Sequence, residues 1–213
     1  MPDLIQKASE FRVKVFPRYR ELFGQLGTSQ KPHTLFIACS DSRLDPNLIT
    51  GSNPGDLFVL RNIANIVPDY DRATSDVAAS SAIEYAVKSL QVENIVVCGH
   101  SNCGGCRAMC SASSEKLEFT SKWLDFAGSV HEVDRLRNAC SEQNGLSDHE
   151  ITTDSFLAVE LENVLQQLHS LLTYPYIRER RDSGKLSLFG WHYDIETGTV
   201  QDYDWESKEF RIL

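Results

Sequence analysis

Two short runs, Thr34-Leu35-Phe36-Ile37-Ala38-Cys39 and Ile95-Val96-Val97-Cys98, are apolar and β-prone with no polar alternation. Each breaks abruptly into polar residues, the first at Ser40-Asp41-Ser42-Arg43 and the second at Gly99-His100. A strand without alternation is covered on both faces, which is the signature of a parallel sheet. Asp56–Arg61 reads as a further short buried strand. Between these runs the period changes to that of helices. Ala79, Ala82, Ile83, Ala86 and Leu90 mark one face of a helix over 75–90, leaving Tyr85 off the stripe with Ala78 and Ser81. Leu157, Leu161, Val164, Leu165, Leu168, Leu171 and Leu172 mark a long helix from about 149 to 172, with capping-box spacing at Ser147 to Glu150 and a limit at Pro175. Leu186–Asp194 is a strand, Gly198 a turn, and Thr199–Tyr203 its hairpin partner. The expected fold is α/β: a mostly parallel central β-sheet flanked by helices, with an antiparallel C-terminal edge strand.

At 213 residues the chain has the length of one sizeable domain, expected over 1–213. Residues 3 to 24 read as an N-terminal helical arm ending near Gly24 and Gly27. Its apolar side chains (Leu4, Ile5, Phe11, Val15, Leu22, Phe23) ask for a packing surface, such as a second subunit. A net charge of −9 argues against nucleic acid and anionic membranes as partners. No apolar run has the ~20 residues of a membrane-spanning helix, and the N-terminus lacks the apolar core of a secretory signal. Four of the six cysteines crowd between 98 and 110, unlike the spread framework of a secreted disulfide protein. A reducing, cytoplasmic setting is expected.

Open α/β sheets bind ligands beyond the carboxyl ends of their strands, where strand order reverses. If Thr34–Cys39 and Asn94–Cys98 are neighbours there, Cys39, His100 and Cys103 converge as two thiolates and an imidazole. Three protein ligands with an open fourth position is the arrangement of a catalytic zinc. Other readings stand beside this one. Cys103-Gly-Gly-Cys106 at a helix start has the form of a thiol redox pair. Asp41 and Arg43 alone would be a turn residue and its surface partner. A zinc that only braces the sheet is a further alternative. Cys98, Cys106 and Cys110 read as packing residues, His131, His149 and His169 as surface histidines, and His192 receives no role.

Cys39-Ser40-Asp41-Ser42-Arg43, followed about 57 residues later by His100-Ser101-Asn102-Cys103-Gly104-Gly105, resembles the β-class carbonic anhydrases. Gly55–Asn65 and Ala82–Val87 resemble further segments of that family, and Leu171-Leu172-Thr173-Tyr174-Pro175 its plant-type branch. The resemblance implies one Zn2+ per subunit on Cys39, His100 and Cys103, with Asp41 and Arg43 as the catalytic dyad. The implied reaction is reversible hydration of carbon dioxide to bicarbonate and a proton, by attack of a zinc-bound hydroxide that the dyad orients. Gln30, Phe58, Ile63, Tyr85 and Gly104 would line the substrate pocket, with Phe58 and Tyr85 supplied by the neighbouring subunit. The minimal unit is then a homodimer, with a dimer of dimers as the next step. Phe36 stands where the bicarbonate-inhibited branch carries Trp, which implies that Asp41 pairs with Arg43 and leaves the fourth zinc position open. Carbonyl sulfide and carbon disulfide hydrolysis are the alternative activities on the same zinc.

Overall fold

The computed structural model describes residues 2–110, 117–127 and 153–213. The expectations for Cys140, His131, His149, the Ser147 to Glu150 capping box and helical pieces over 130–139 fall outside the described residues, as does the side chain of Cys110. The chain divides into two compact units, Met1–Lys31 and Pro32–Leu213.

The first unit is helical: α1 Pro2–Glu10, a π-helical segment Phe11–Val15, and α2 Phe16–Leu26. Pro17 explains the widened stretch. A proline has no N–H and its ring crowds the carbonyl four residues back, so the preceding turn opens. The Phe16 N–H accordingly donates to the Phe11 carbonyl, five residues back. Leu4, Ile5 and Val13 are each about 70% exposed.

The second unit is built on a six-stranded sheet: β1 Thr34–Cys39, β2 Leu57–Asn62, β3 Asn94–His100, β4 Ser187–Tyr193, β5 Val200–Asp204 and β6 Glu209–Ile212, in the order β2-β1-β3-β4-β5-β6. The first four strands in that order are parallel, and β5 and β6 add antiparallel. The antiparallel edge is therefore two strands rather than the expected one. Along β1, Leu35 and Ile37 enter one core and Phe36 and Ala38 another, all fully buried. That two-sided burial is why the run shows no alternation.

Around the sheet lie α3 Pro46–Thr50, α4 Val77–Glu84 with a π-helical continuation Tyr85–Ser89, α5 Gly104–Cys110, α6 Glu118–Leu124, α7 Thr153–Thr173 and α8 Pro175–Asp182. Asp45 caps α3 by accepting from the Asn47 and Leu48 amides. Pro175 ends α7 and starts α8, because a proline at the first helical position loses no hydrogen bond. The long helix α7 packs on β3 and β4. Two glycines admit it: a Cβ on Gly99 would stand 2.7 Å from Val164 Cγ2, and one on Gly190 2.7 Å from Leu168 Cδ1. No helix among the described residues is long and apolar enough to cross a membrane.

Candidate metal centre

The order β2-β1-β3 means that the chain leaves β1 to one side and later returns to its other side. The carboxyl ends of β1 and β3 are thus the point where strand order reverses, which is where such sheets place ligands. Cys39 ends β1 and His100 ends β3. Cys103 follows one tight turn later, with Asn102 in the left-handed region at φ 57°. The three ligand atoms all lie within 4.8 Å of one another, and all three residues are buried.

The spacing fits a tetrahedral ion. Two sulfurs each about 2.3 Å from zinc lie about 3.8 Å apart, and the sulfurs of Cys39 and Cys103 are 4.0 Å apart. His100 Nδ1 lies 3.0 Å from the Ser101 carbonyl, which can only accept, so Nδ1 carries the proton. Nε2 is left with a lone pair, fully buried and without a hydrogen-bond partner. An orphaned buried acceptor is costly, and a metal ion beside two thiols would satisfy it. Two thiolates and an imidazole whose far nitrogen is pinned to a carbonyl make a donor set suited to zinc.

Asp41 and Arg43 sit on the loop after β1 and form a forked pair. Arg43 Nε and its backbone N–H donate to Asp41 Oδ1 at 2.9 Å each, and Arg43 Nη2 donates to Oδ2 at 2.7 Å. Arg43 Nη2 also reaches the Asn102 carbonyl at 3.2 Å, tying the β1 loop to the β3 loop. The Arg43 guanidinium holds the Asp41 carboxyl well below the usual carboxylate range. Asp41 Oδ2 lies 3.9 Å from His100 Nε2, so the carboxylate borders the ligand set.

Sequence reasoning assigned nothing to Arg61, yet it fixes this loop. Its guanidinium donates to the Cys39 carbonyl at 3.1 and 3.0 Å and to the Asp41 carbonyl at 2.6 Å. Ile63 follows β2 at the same end of the sheet and is 40% exposed. Its Cγ2 would stand 3.0 Å from a Cβ on Gly105, and the Ala64 methyl 2.7 Å from it, so the tight approach is at Gly105. Gly104, the expected pocket glycine, faces open space at the start of α5.

Phe58 and Tyr85 are brought together, ring centroids 6.0 Å apart, but not at this chain's own site. Phe58 pairs with Leu35, whereas Asn62 pairs with Cys39. Four residues of strand place Phe58 about 13 Å back from the ligand end. Tyr85 is exposed, as its off-stripe position anticipates. Gln30 belongs to the first unit. Cys98 and Cys106 are buried and free, as expected of packing residues.

The metal-free protein should carry a pH signature. Hydrogen bonding to Cys103, with burial, pushes the Cys39 thiol up to about 12, from an ordinary 9.0. Cys103 is likewise pushed up to about 12, first by the neighbouring Cys106 thiol. A thiol whose pKa is raised by folding stabilises the fold fully below its unfolded value, and that contribution is lost as pH rises from 9 toward 12. A metal that needs thiolates binds better over the same rise. Urea unfolding of chelated protein should therefore show a falling midpoint as pH rises above about 9. The gain in midpoint on adding zinc should grow. Parallel curves with and without zinc would contradict the thiol assignment.

A carbonic anhydrase family profile matches residues 34–200. Carbonic anhydrase 1 of Escherichia coli O157:H7 is 41% identical over 211 residues, covering 99% of this chain and 91% of that protein. The solved structure of the beta-carbonic anhydrase CcaA superposes with a TM-score of 0.88 at 40% identity, covering 100% of this chain and 92% of that one. A structure from work on two tetrameric beta-carbonic anhydrases of Sordaria macrospora matches with a TM-score of 0.79 at 30% identity, over 95% and 97% of the two chains. The profile spans both halves of the Cys39, His100 and Cys103 cluster. The chain belongs to the carbonic anhydrase family, and within it to the beta class.

Proposed function

We propose that the protein catalyses the reversible hydration of carbon dioxide to bicarbonate and a proton, with one zinc ion per chain on Cys39, His100 and Cys103. The observation that carries this reading is the convergence of those three ligands beside the forked Asp41–Arg43 pair. Zinc, when bound, supplies a Lewis acid that acidifies water at neutral pH.

The remaining chemistry belongs to the protein. An ionised carboxylate can only accept hydrogen bonds, so Asp41 turns a neighbouring hydroxyl with its hydrogen toward Oδ2 and a lone pair outward. Arg43, always charged, keeps Asp41 ionised and fixed in direction. Ile63 gives an apolar wall suited to a small nonpolar gas, and Gly104 leaves the rim open. Gln30 would donate to the oxygen that gains charge as bicarbonate forms.

Phe58 and Tyr85 enter the pocket from a second copy of the chain, in the manner of the plant-type branch. Their distance from their own chain's ligand end supports this, as does the exposure of Tyr85. The apolar arm over 1–27 then has a partner surface, with a homodimer as the minimal unit and a dimer of dimers as the larger one. The Sordaria relatives are described as tetrameric. A reducing, cytoplasmic setting suits the free, buried thiols at Cys39, Cys98, Cys103 and Cys106. The net charge of −9 supports the absence of nucleic-acid and membrane partners.

The redox alternative finds no support at Cys103 and Cys106. A reactive pair needs an accessible thiol of lowered pKa. Both residues are instead about 1% exposed, and Cys103 is pushed up.

Stopped-flow hydration of carbon dioxide by purified protein tests the proposal, with carbonyl sulfide and carbon disulfide assayed in parallel. The expected kcat/KM for carbon dioxide is on the order of 10⁶–10⁸ M⁻¹s⁻¹, approaching the diffusional range. Stoichiometric zinc with no hydration above buffer would leave a scaffold. Faster turnover of a sulfur substrate would move the assignment to hydrolysis.

A further inference from the structure

On α7 a line of buried polar side chains faces the loops of the site, beside the apolar Val159. Glu160, Asn163 and Gln167 stand at helical spacing, each no more than 2% exposed. Each holds a different loop of the site. Glu160 Oε1 accepts the Cys103 N–H at 3.0 Å. Asn163 Nδ2 donates to the Ala64 carbonyl at 3.0 Å. Gln167 Oε1 accepts the Val67 N–H at 2.8 Å, while its Nε2 donates to the Ala127 carbonyl at 2.9 Å. The other Glu160 oxygen, Oε2, lies 3.0 Å from Nε2 of His192, a residue as buried as the glutamate. His192 is on β4 directly beside Gly99, the position where the absence of a Cβ lets α7 approach β3.

We propose that Glu160 and His192 form a buried bracket that positions Cys103 as a metal ligand. The glutamate receives the backbone N–H of Cys103. The histidine, donating from Nε2, keeps the carboxylate from swinging away. Neither residue belongs to the Cys39, His100 and Cys103 cluster, so the pair acts through Cys103 and its members are positioning residues. The assignment rests on the reading of Cys103 as a ligand. The Cys103 amide belongs to the same residue as the thiol, so fixing it fixes the stem of the ligand, and a carboxylate is a stronger acceptor for it than a carbonyl. Groups that orient ligands in this way typically change metal affinity by about 10–100-fold when removed.

The test compares Glu160→Gln, which keeps an oxygen acceptor for the Cys103 N–H and turns its NH2 to His192, whose Nε2 accepts in the other tautomer, with Glu160→Met, which fills similar volume without either contact. Both variants lose the carboxylate charge, so an effect of charge alone would move them alike, and metal release reads the Cys103 contact itself. Zinc release to a chromogenic chelator should be about 10–100-fold faster in Glu160→Met and within about threefold of wild type in Glu160→Gln. Cobalt-substituted protein should show shifted thiolate charge-transfer bands only in the methionine variant. Should Glu160→Met fail to fold, His192→Phe carries the test, since it keeps the carboxylate but frees it, and should also speed release. Wild-type release rates in Glu160→Met, or in His192→Phe where that variant stands in, overturn the assignment, as does equal acceleration in the two Glu160 variants. A wild-type chain that binds no metal overturns both the bracket and the metal reading beneath it.

Discussion

Cys39→Ser should remove zinc and carbon dioxide hydration together. A serine hydroxyl does not ionise in the neutral range and gives zinc no soft anionic donor, so only Cys103 and His100 would remain. Zinc content should fall below about a tenth of an ion per chain after dialysis, because zinc is held by deprotonated ligands and serine cannot supply one in the neutral range. The rate should fall by about three orders of magnitude or more, since nothing else in the pocket acidifies water toward neutral pH. His100→Ala should behave alike. The fold itself should survive, because Cys39 closes a strand whose core is carried by Leu35, Phe36, Ile37 and Ala38. The matching control is Cys106→Ser. It buries one hydroxyl, at a cost of about 1–3 kcal/mol, and should keep both zinc and rate. Loss of zinc on Cys106→Ser with retention on Cys39→Ser would transfer the ligand role.

Asp41→Asn should separate metal binding from turnover. Asparagine has nearly the same shape, and Asp41 is not among the three ligands, so zinc should stay near one per chain. The Arg43 fork now meets one carbonyl oxygen and one amide nitrogen where it had two acceptors at 2.9 and 2.7 Å. If the amide turns its oxygen to Arg43, its NH2 faces the pocket. It then donates where Asp41 accepted, and turns the hydroxyl's lone pair away from the substrate. A positioned proton acceptor is worth about 10²–10⁴ in rate, so a loss in that range is expected in kcat with little change in zinc content. Zinc analysis and stopped-flow kinetics on the same preparation decide it. Loss of zinc with the rate would make Asp41 a structural residue of the loop.

Much of this arrangement is legible in the amino acids, for identifiable reasons. The strands β1 and β3 announce themselves because both faces are buried, which removes alternation from the sequence. Once they are neighbours at the reversal of strand order, Cys39, His100 and Cys103 have one place to meet. Other features leave weaker traces. The strand β6 is four residues, mostly exposed, and its alternation of Phe210 and Ile212 with charged residues is too short to stand out. A proline at 175 reads as a stop, although it equally begins the next helix. The partner-subunit role proposed for Phe58 and Tyr85 follows from resemblance, and its one trace in the sequence is the off-stripe position of Tyr85.

The largest omission is polar. The leucine stripe of α7 is conspicuous, while Glu160, Asn163 and Gln167 look like an ordinary solvated face until the helix is seen against β3 and the site loops. Their spacing was a usable signal: three hydrogen-bonding side chains on one line of a helix that must be buried against a sheet. His192 and Arg61 are likewise unremarkable in sequence. Their meaning lies in which carbonyls and carboxylates they reach across the fold.

The most direct measurement is to strip the protein of metal with a chelator, return zinc in measured steps, and follow carbon dioxide hydration at each step. Activity should be lost on stripping, rise in proportion to zinc bound, and level off at one ion per chain. Hydration that persists in the stripped protein, or that reaches its full rate at a small fraction of one ion per chain, would contradict a zinc centre built on Cys39, His100 and Cys103.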